Sequence, residues 1–387
     1  MFKQILEITW LNLRNVPSRL GSSSVIVVGI AGVVAVLVGL LAMAAGFAAA
    51  LQNTSIPERA IVLRDGSRNE LSSSISIEEF NIVSQLEGVV AASAELYVIA
   101  DVPKIDTGTP ANLVVRGVPQ TAFQVRPEVH IVAGRAFEPG RTELIAGVKA
   151  QAEFEGLEIG NNMEFRGSEW TVVGIFEAGD GAHESEVWAD FAIVQAAFRR
   201  GGQISSVRVI LEDADLAQTL HQRIQDDPRL DLGLRTEEEF YAAQSAARKD
   251  LIEGFGFSVA VIMAVGAVFA ALNTMYSAVS ARTVEIAILR ALGFSGLSVV
   301  VSVMIEALVL AVLGGVGGGL LVYLLLDGYT SSTLNSASFS QVAYDFAVTP
   351  ELLQLGIAWA LLLGLVGGLF PAVRAARLPI TTALRGE

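Results

Sequence analysis

The 387-residue chain is 52% hydrophobic and carries a net charge of −14. That acidity argues against nucleic acid as a partner, because phosphate backbones bind basic surfaces. With no cysteine anywhere, no disulfide can brace a folded part, so each must be stable through its own core.

The N-terminal segment carries Lys3, Arg14 and Arg19 and leads into an apolar run from Val25 to Leu51. That run exceeds the roughly 20 residues a helix needs to cross a hydrocarbon core. Ala42-Met43-Ala44 has the small-residue spacing of a signal-peptide cleavage site. The apolar stretch is nevertheless longer than the roughly 7–15 residues of a signal core, which predicts an uncleaved anchor. Residues 1–52 are read as a cytoplasmic N-terminal helix and a first span.

Residues 53–250 hold most of the chain's 40 acidic residues and are long enough for a folded domain. Ala60 to Leu63 reads as a strand. Ser76-Ile77-Glu78-Glu79 is a capping box opening a helix to about Glu87, and Val89 to Ile99 reads as extended. Near the end of the insert, Val207 to Leu211 predicts a strand, Leu216, Leu220 and Ile224 an i, i+4 helical stripe, and Leu230 to Leu234 a short extended segment. Two strand–helix–strand units therefore flank the domain. Between them, from Asn112 to Asp190, short apolar runs alternate with glycine and proline, which predicts a β-rich insertion. A second capping box, Thr236-Glu237-Glu238-Glu239, opens a helix expected to continue into the next span.

Three further apolar runs follow: Phe255 to Ser280, Leu297 to Leu326 and Leu352 to Phe370. The fold class is thus an α-helical membrane protein with four transmembrane helices and a large α+β domain between the first and second. Outside the insert, basic residues precede the first span, lie at Arg282 and Arg290 between the second and third, and follow the fourth at Arg374, Arg377 and Arg385. Basic residues near span ends stay cytoplasmic, so both termini and the 281–296 loop are expected inside, and the insert and the 327–350 loop outside.

The densest group of potential metal ligands is Asp180, His183, Glu184, Glu186 and Asp190, with His130 and His221 far away. Carboxylates and imidazole suit divalent cations. The spacing matches no calcium loop, however, and an acidic solvated turn is the preferred reading. No hydrolase elbow or zinc-protease motif occurs. ATP needs a glycine-rich loop ending in Gly-Lys, and none of Lys3, Lys104, Lys149 and Lys249 follows a glycine. The runs Gly314 to Gly319 and Gly364 to Gly368 lie inside apolar spans, where glycine serves close helix packing. No catalytic residue, directly bound cofactor or metal is expected.

The most specific segment is Arg282-Thr283-Val284-Glu285-Ile286-Ala287-Ile288-Leu289-Arg290-Ala291-Leu292-Gly293, a short helix closed by Gly293. Arg282 and Glu285 are i, i+3 neighbours, with Ile286 and Leu289 on an adjacent face. Such a helix either lies on the membrane surface or docks into a groove of a soluble partner. Glu306, inside the third span, is expected to snorkel or to pair with Arg282 or Arg290.

This run resembles the coupling helix of FtsX-like permeases in MacB-type ABC transporters. Ile305-Glu306-Ala307, the glycine-rich third span and Phe370-Pro371-Ala372-Val373-Arg374-Ala375-Ala376-Arg377 with Ala383-Leu384-Arg385 are similar to the same family. Arg116-Gly117, Ala133-Gly134-Arg135 and Trp170-Thr171-Val172-Val173-Gly174 resemble the family's periplasmic core domain. Pro379 and Thr382 depart from the usual C-terminal pattern, and the ATPase domain fused to the macrolide exporter is not in this chain.

The resemblance implies a permease subunit in the bacterial inner membrane, with residues 251–387 as the permease domain. It implies two ABC ATPase copies supplying ATP and magnesium, a second permease subunit, identical or related, and mechanotransmission to the periplasmic domain. Arg282, Glu285, Ile286, Leu289, Arg290 and Gly293 would contact the ATPase. A periplasmic adaptor and outer-membrane channel are further implied partners. The alternatives are an FtsX-like signalling transducer acting on a cell-wall hydrolase, disfavoured by the size of the exported domain, and an ATPase-free receptor, disfavoured by the coupling-type loop.

Overall fold

The computed structural model describes residues 7, 9 and 10, 20–335 and 340–377. The C-terminal departures at Pro379 and Thr382 lie outside the described residues. Two compact units emerge: 1–45 with 250–329 and 346–387, and 46–249 with 330–345.

Elements run in chain order as helix α1 (Leu20–Gln52), β1 (Arg59–Arg64), α2 (Ile77–Ser84), β2 (Val89–Pro103), β3 (Pro110–Val118), α3 (Ala122–Val125), β4 (His130–Gly134), β5 (Glu143–Gly147) and α4 (Val148–Glu153). Then come β6 (Asn162–Phe165), β7 (Ser168–Glu177), β8 (Glu186–Asp190), α5 (Phe191–Ala197), β9 (Ser206–Leu211), α6 (Leu216–Asp226), β10 (Leu232–Thr236) and α7 (Glu237–Ala281). The chain continues through α8 (Thr283–Ala291), α9 (Gly296–Leu326), the hairpin β11 (Thr330–Asn335) and β12 (Ser340–Asp345), and α10 (Pro350–Arg377).

In the first unit, α1, α7, α9 and α10 each contain a stretch long and apolar enough to cross a membrane. Their shared core joins Ile30 and Val34 of α1 to Ala271 of α7, Leu310 and Ala311 of α9, and Ala360 of α10. Glycine permits the closest approaches. A Cβ at Gly318 would lie 2.4 Å from the Ala31 carbonyl oxygen, and one at Gly364 would lie 2.5 Å from the Ala311 Cβ. Without a hydrophobic drive between helices in lipid, such close packing is what holds spans together.

In the second unit, β10, β1, β9 and β2 lie side by side in that order, every adjacent pair antiparallel. With α2 after β1 and α6 after β9, this is the split β-α-β arrangement of ferredoxin-like folds. Both expected capping boxes form: Ser76 and Glu79 exchange side-chain and backbone hydrogen bonds, as do Thr236 and Glu239. Helix α2 stops at Ser84, a turn short of the expected Glu87.

Fifteen-residue β2 belongs to two sheet regions at once. Its first half pairs with β9 as far as Glu95↔Ser206, and its second half pairs with β3 from Leu96↔Gly117. From β3 the β-rich part continues in the order β8, β5, β7, β4, with β6 on β7. Trp170 sits in one core with Leu144 and Val187, and Trp188 in another with Phe176.

The hairpin β11–β12 belongs to this second unit, although the sequence reading grouped it with the permease segment 251–387. Ala343 N–H donates to Ser185 Oγ at 2.9 Å, and Lys104 Nζ donates to Ser332 Oγ at 2.8 Å. Lys149 Nζ lies 3.6 Å from Asp345.

Candidate coupling site and buried charge network

Helix α8 is where the expected partner-facing residues sit. Arg282 precedes it, Glu285 is in its first turn, Arg290 in its last, and Gly293 closes it with φ +94°. That φ lies in the left-handed region, which glycine reaches without a Cβ penalty. Ile286 is only 7% exposed and packs into the helical core, so it does not present itself to a partner. Leu289 is half-buried. The exposed apolar residues are instead Val284, Ile288 and Leu292, spaced four apart on one stripe, with Glu285 exposed beside them. Periodicity could not separate the two stripes, because both faces of this helix carry apolar residues.

Arg282 and Glu306 are both buried and meet two-pronged, Nη1 to Oε2 at 3.2 Å and Nη2 to Oε1 at 3.4 Å. The planar guanidinium fork suits this geometry. It fixes the start of α8 against α9.

The second constellation lies within the inserted domain, where Arg59, Arg116, Arg126 and Arg208 are almost wholly buried. Glu237, the first residue of α7, is held between Arg59 and Arg208. Arg208 also reaches Glu70 at 3.3 Å and the Tyr241 hydroxyl at 3.3 Å. Arg116 binds Glu186 with two hydrogen bonds of 2.6 and 2.7 Å, Glu70 at 2.8 Å and Glu95 at 2.9 Å. Arg126 holds Glu95 and donates to His183 Nε2 at 3.2 Å. Aromatic faces complete the lining: Arg116 over Tyr97, Arg126 over Trp188, and Arg208 over Phe240 and Tyr241.

Burial alone would raise the Glu95 carboxyl, but the charges of Arg126 and Arg116 overcome it and bring it down to about 2. Burial is likewise outweighed at Glu186, which Arg116 holds well below the usual range. Burial lowers His183, which fits an imidazole accepting a hydrogen bond from Arg126. The network ties β1, β3 and β9 to the base of α7. It was invisible in the sequence, since its members are scattered from residue 59 to 237.

The cluster considered for a cation is dispersed. Glu186 and His183 belong to the charge network, Glu184 accepts from the Ala178 and Asp180 amides, and Asp190 caps α5 through Ile193 N–H. Among the described residues, no group of three or more His, Cys, Asp and Glu is arranged to hold a metal ion.

Among the described residues, four membrane-length helices, a short helix between two of them and a ferredoxin-like domain inserted after the first define a multi-pass membrane protein. Residues 23–227 match the MacB-like periplasmic core domain and residues 257–380 the FtsX-like permease C-terminal domain, and the chain belongs to this MacB/FtsX-like ABC transporter permease family. It is similar to the macrolide export ATP-binding/permease protein MacB of Azoarcus sp. (strain BH72), with 25% identity covering 99% of this chain and 60% of that protein. It is also similar to an uncharacterized ABC transporter permease of Methanocaldococcus jannaschii, with 24% identity over 60% of this chain and 58% of that one. The chain thus spans less than two thirds of the length of these relatives. The crystal structure of the periplasmic region of MacB from Actinobacillus actinomycetemcomitans aligns with 49% of this chain and 94% of its own, at 11% identity and a TM-score of 0.37.

Proposed function

We propose that this chain is the permease subunit of a MacB-type ABC transporter, coupling ATP hydrolysis in a separate ATPase subunit to movement of its inserted domain. The observation that carries this reading is α8: a short helix between two spans, pinned by Arg282–Glu306, with Val284, Ile288 and Leu292 exposed beside Glu285. An apolar stripe edged by a charge is what a groove-docking helix requires. Two ATPase copies holding ATP and magnesium would each receive one such helix from a pair of permease subunits, identical or related.

In this reading the basic residues at the span ends keep both termini and α8 in the cytoplasm of a bacterial inner membrane. The inserted domain lies outside, where a periplasmic adaptor and outer-membrane channel are candidate partners. Helix α7 is the transmitting element. Its 45 residues run unbroken from the Glu237 charge clamp to the residue before the α8 connection. Contiguous packed elements of this kind carry coupling between distant sites. The work done outside would be export or extraction of a substrate.

Co-expression with a candidate ABC ATPase subunit, followed by reconstitution in nanodiscs, tests the reading. Stable association and stimulated ATP hydrolysis support it. A complex that forms normally but whose ATP turnover switches on a cell-wall hydrolase would favour the signalling alternative instead.

A further inference from the structure

The inserted domain carries a groove of about 890 Å³ whose lining includes Val98, Ile99, Phe198 and three arginines, Arg166, Arg199 and Arg200. Of the other exposed arginines of this domain, Arg135, Arg141 and Arg229 each hold a carboxylate at 2.6 to 2.8 Å and Arg223 lies 3.6 Å from Glu87, while Arg68 and Arg235 stand apart from this groove. Among the described residues, no ion pair or side-chain hydrogen bond engages Arg166, Arg199 or Arg200. Three unneutralised cations that line one groove repel one another, and their grouping in an acid-rich domain marks a site for negative charge.

Two of these arginines occupy positions that the backbone would give to other residues. Arg166, with φ +52°, and Gly167, with φ +76°, are the two central residues of the β6–β7 turn, closed by the Phe165↔Ser168 pair. Turns with positive φ at both central residues favour Asn-Gly. Arg199, with φ +54°, follows Phe198, the C-cap of α5, at the position where glycine or asparagine usually ends a helix. Neither local fold asks for arginine, yet both arginines line the same groove.

The groove also borders an open strand edge. Beyond Glu95↔Ser206, β2 pairs with β3 alone. Tyr97 N–H donates to Ser205 Oγ at 3.0 Å, so the Tyr97 backbone faces away from β3, and by alternation Ile99 and Asp101 face the same side. The window ends where Glu155 N–H donates to the Pro103 carbonyl at 2.9 Å. Among the described residues no strand covers Ile99 to Asp101 on that side.

We propose that this groove binds an extended acidic segment of a partner protein, which adds to the β2 edge at Ile99–Asp101 and places its carboxylates on Arg166, Arg199 and Arg200. Backbone hydrogen bonds to an open edge supply general affinity, and arginine–carboxylate pairs supply selectivity. Asp101, exposed at the far end of the window, confines the acids to the arginine end. The inference rests on the inserted domain alone and does not depend on coupling to an ATPase.

The test uses the full chain in phosphatidylcholine nanodiscs and a fluorescein-labelled peptide, Glu-Val-Glu-Val-Thr-Val-Thr-Val, read by fluorescence anisotropy. Binding should weaken at least tenfold when the peptide's glutamates become glutamine, and equally in the R166N/R199N double variant, whose asparagines suit both backbone positions and so preserve the fold. Equal binding of the glutamine peptide, or an unchanged affinity in the double variant, would overturn the proposal. So would phosphatidylglycerol vesicles that bind through these arginines while the acidic peptide does not, because the groove would then be a lipid headgroup site.

Discussion

The Arg282 guanidinium and the Glu306 carboxylate face each other two-pronged inside the helical unit, at 3.2 and 3.4 Å, and both are nearly inaccessible to solvent. A charge buried without its partner costs far more than a matched pair gains. Glu306→Leu alone should therefore destabilise the chain by about 3 kcal/mol, while the double variant Arg282→Met with Glu306→Leu recovers most of that loss. Unfolding midpoints of the parent, Glu306→Leu, Arg282→Met and the double variant in nanodiscs check this as a double-mutant cycle. Equal loss in the single and double variants would show that the pair does not fix α8.

Helix packing gives a contrast within one glycine-rich run. Gly318→Val drives side-chain atoms into the Ala31 carbonyl, which a Cβ would already meet at 2.4 Å, whereas a Cβ at Gly317 meets nothing within 4 Å. Overpacking of this kind costs roughly 1–3 kcal/mol. Gly318→Val should lower the thermal midpoint and the yield of folded protein, and Gly317→Ala should match the parent in size-exclusion and melting profiles.

The charge network predicts how the inserted domain responds to acid. Glu95 is held at about 2, below its unfolded value of about 4.3, so its stabilisation is complete above about pH 4.3 and disappears as pH falls toward 2. His183 is also lowered, so the unfolded chain takes up the proton first and stability begins to fall below about pH 6.5. Urea midpoints followed by tryptophan fluorescence should be flat between pH 7 and 8, decline gently below 6.5 and steeply below 4.3. His183→Gln should remove the gentle decline and leave the steep one.

Much of this architecture could be read in the residues themselves. Span lengths, the capping boxes at Ser76 and Thr236 and the helix running on from Glu237 are local patterns, and local patterns survive folding. The segments 330–335 and 340–345 fall within the 251–387 segment in sequence, whereas their contacts with Ser185 and Lys149 are long-range and carry no local signal. Arg59, Arg116 and Arg208 lie on strands, where a lone charge ordinarily marks a solvated face, and only the sheet order brings them to Glu70, Glu95 and Glu237. On α8, Ile286 and Ile288 are equally apolar. Burial against the spans, a tertiary property, decides which of them is exposed.

Orientation is tested by labelling. Thr107, exposed in the turn between β2 and β3, and Ala281, exposed at the end of α7, replace one another as reporters when each is changed to cysteine in this cysteine-free chain. A membrane-impermeant maleimide applied from outside the inner membrane should modify Thr107→Cys and leave Ala281→Cys untouched. The reverse pattern would invert the assignment made from the basic residues.

The most direct test of coupling changes the exposed stripe of α8 and leaves its buried side alone. Ile288→Asp places a charge at the centre of the stripe formed by Val284 and Leu292, while Ile286 and the Arg282–Glu306 pair stay as they are. With a candidate ABC ATPase subunit that binds and is stimulated by the parent chain reconstituted alongside it in nanodiscs, ATPase association and stimulated hydrolysis should fall at least tenfold, with expression and thermal midpoint unchanged. Full association and full stimulation by Ile288→Asp would contradict the account, because the helix that carries it would then not be the contact.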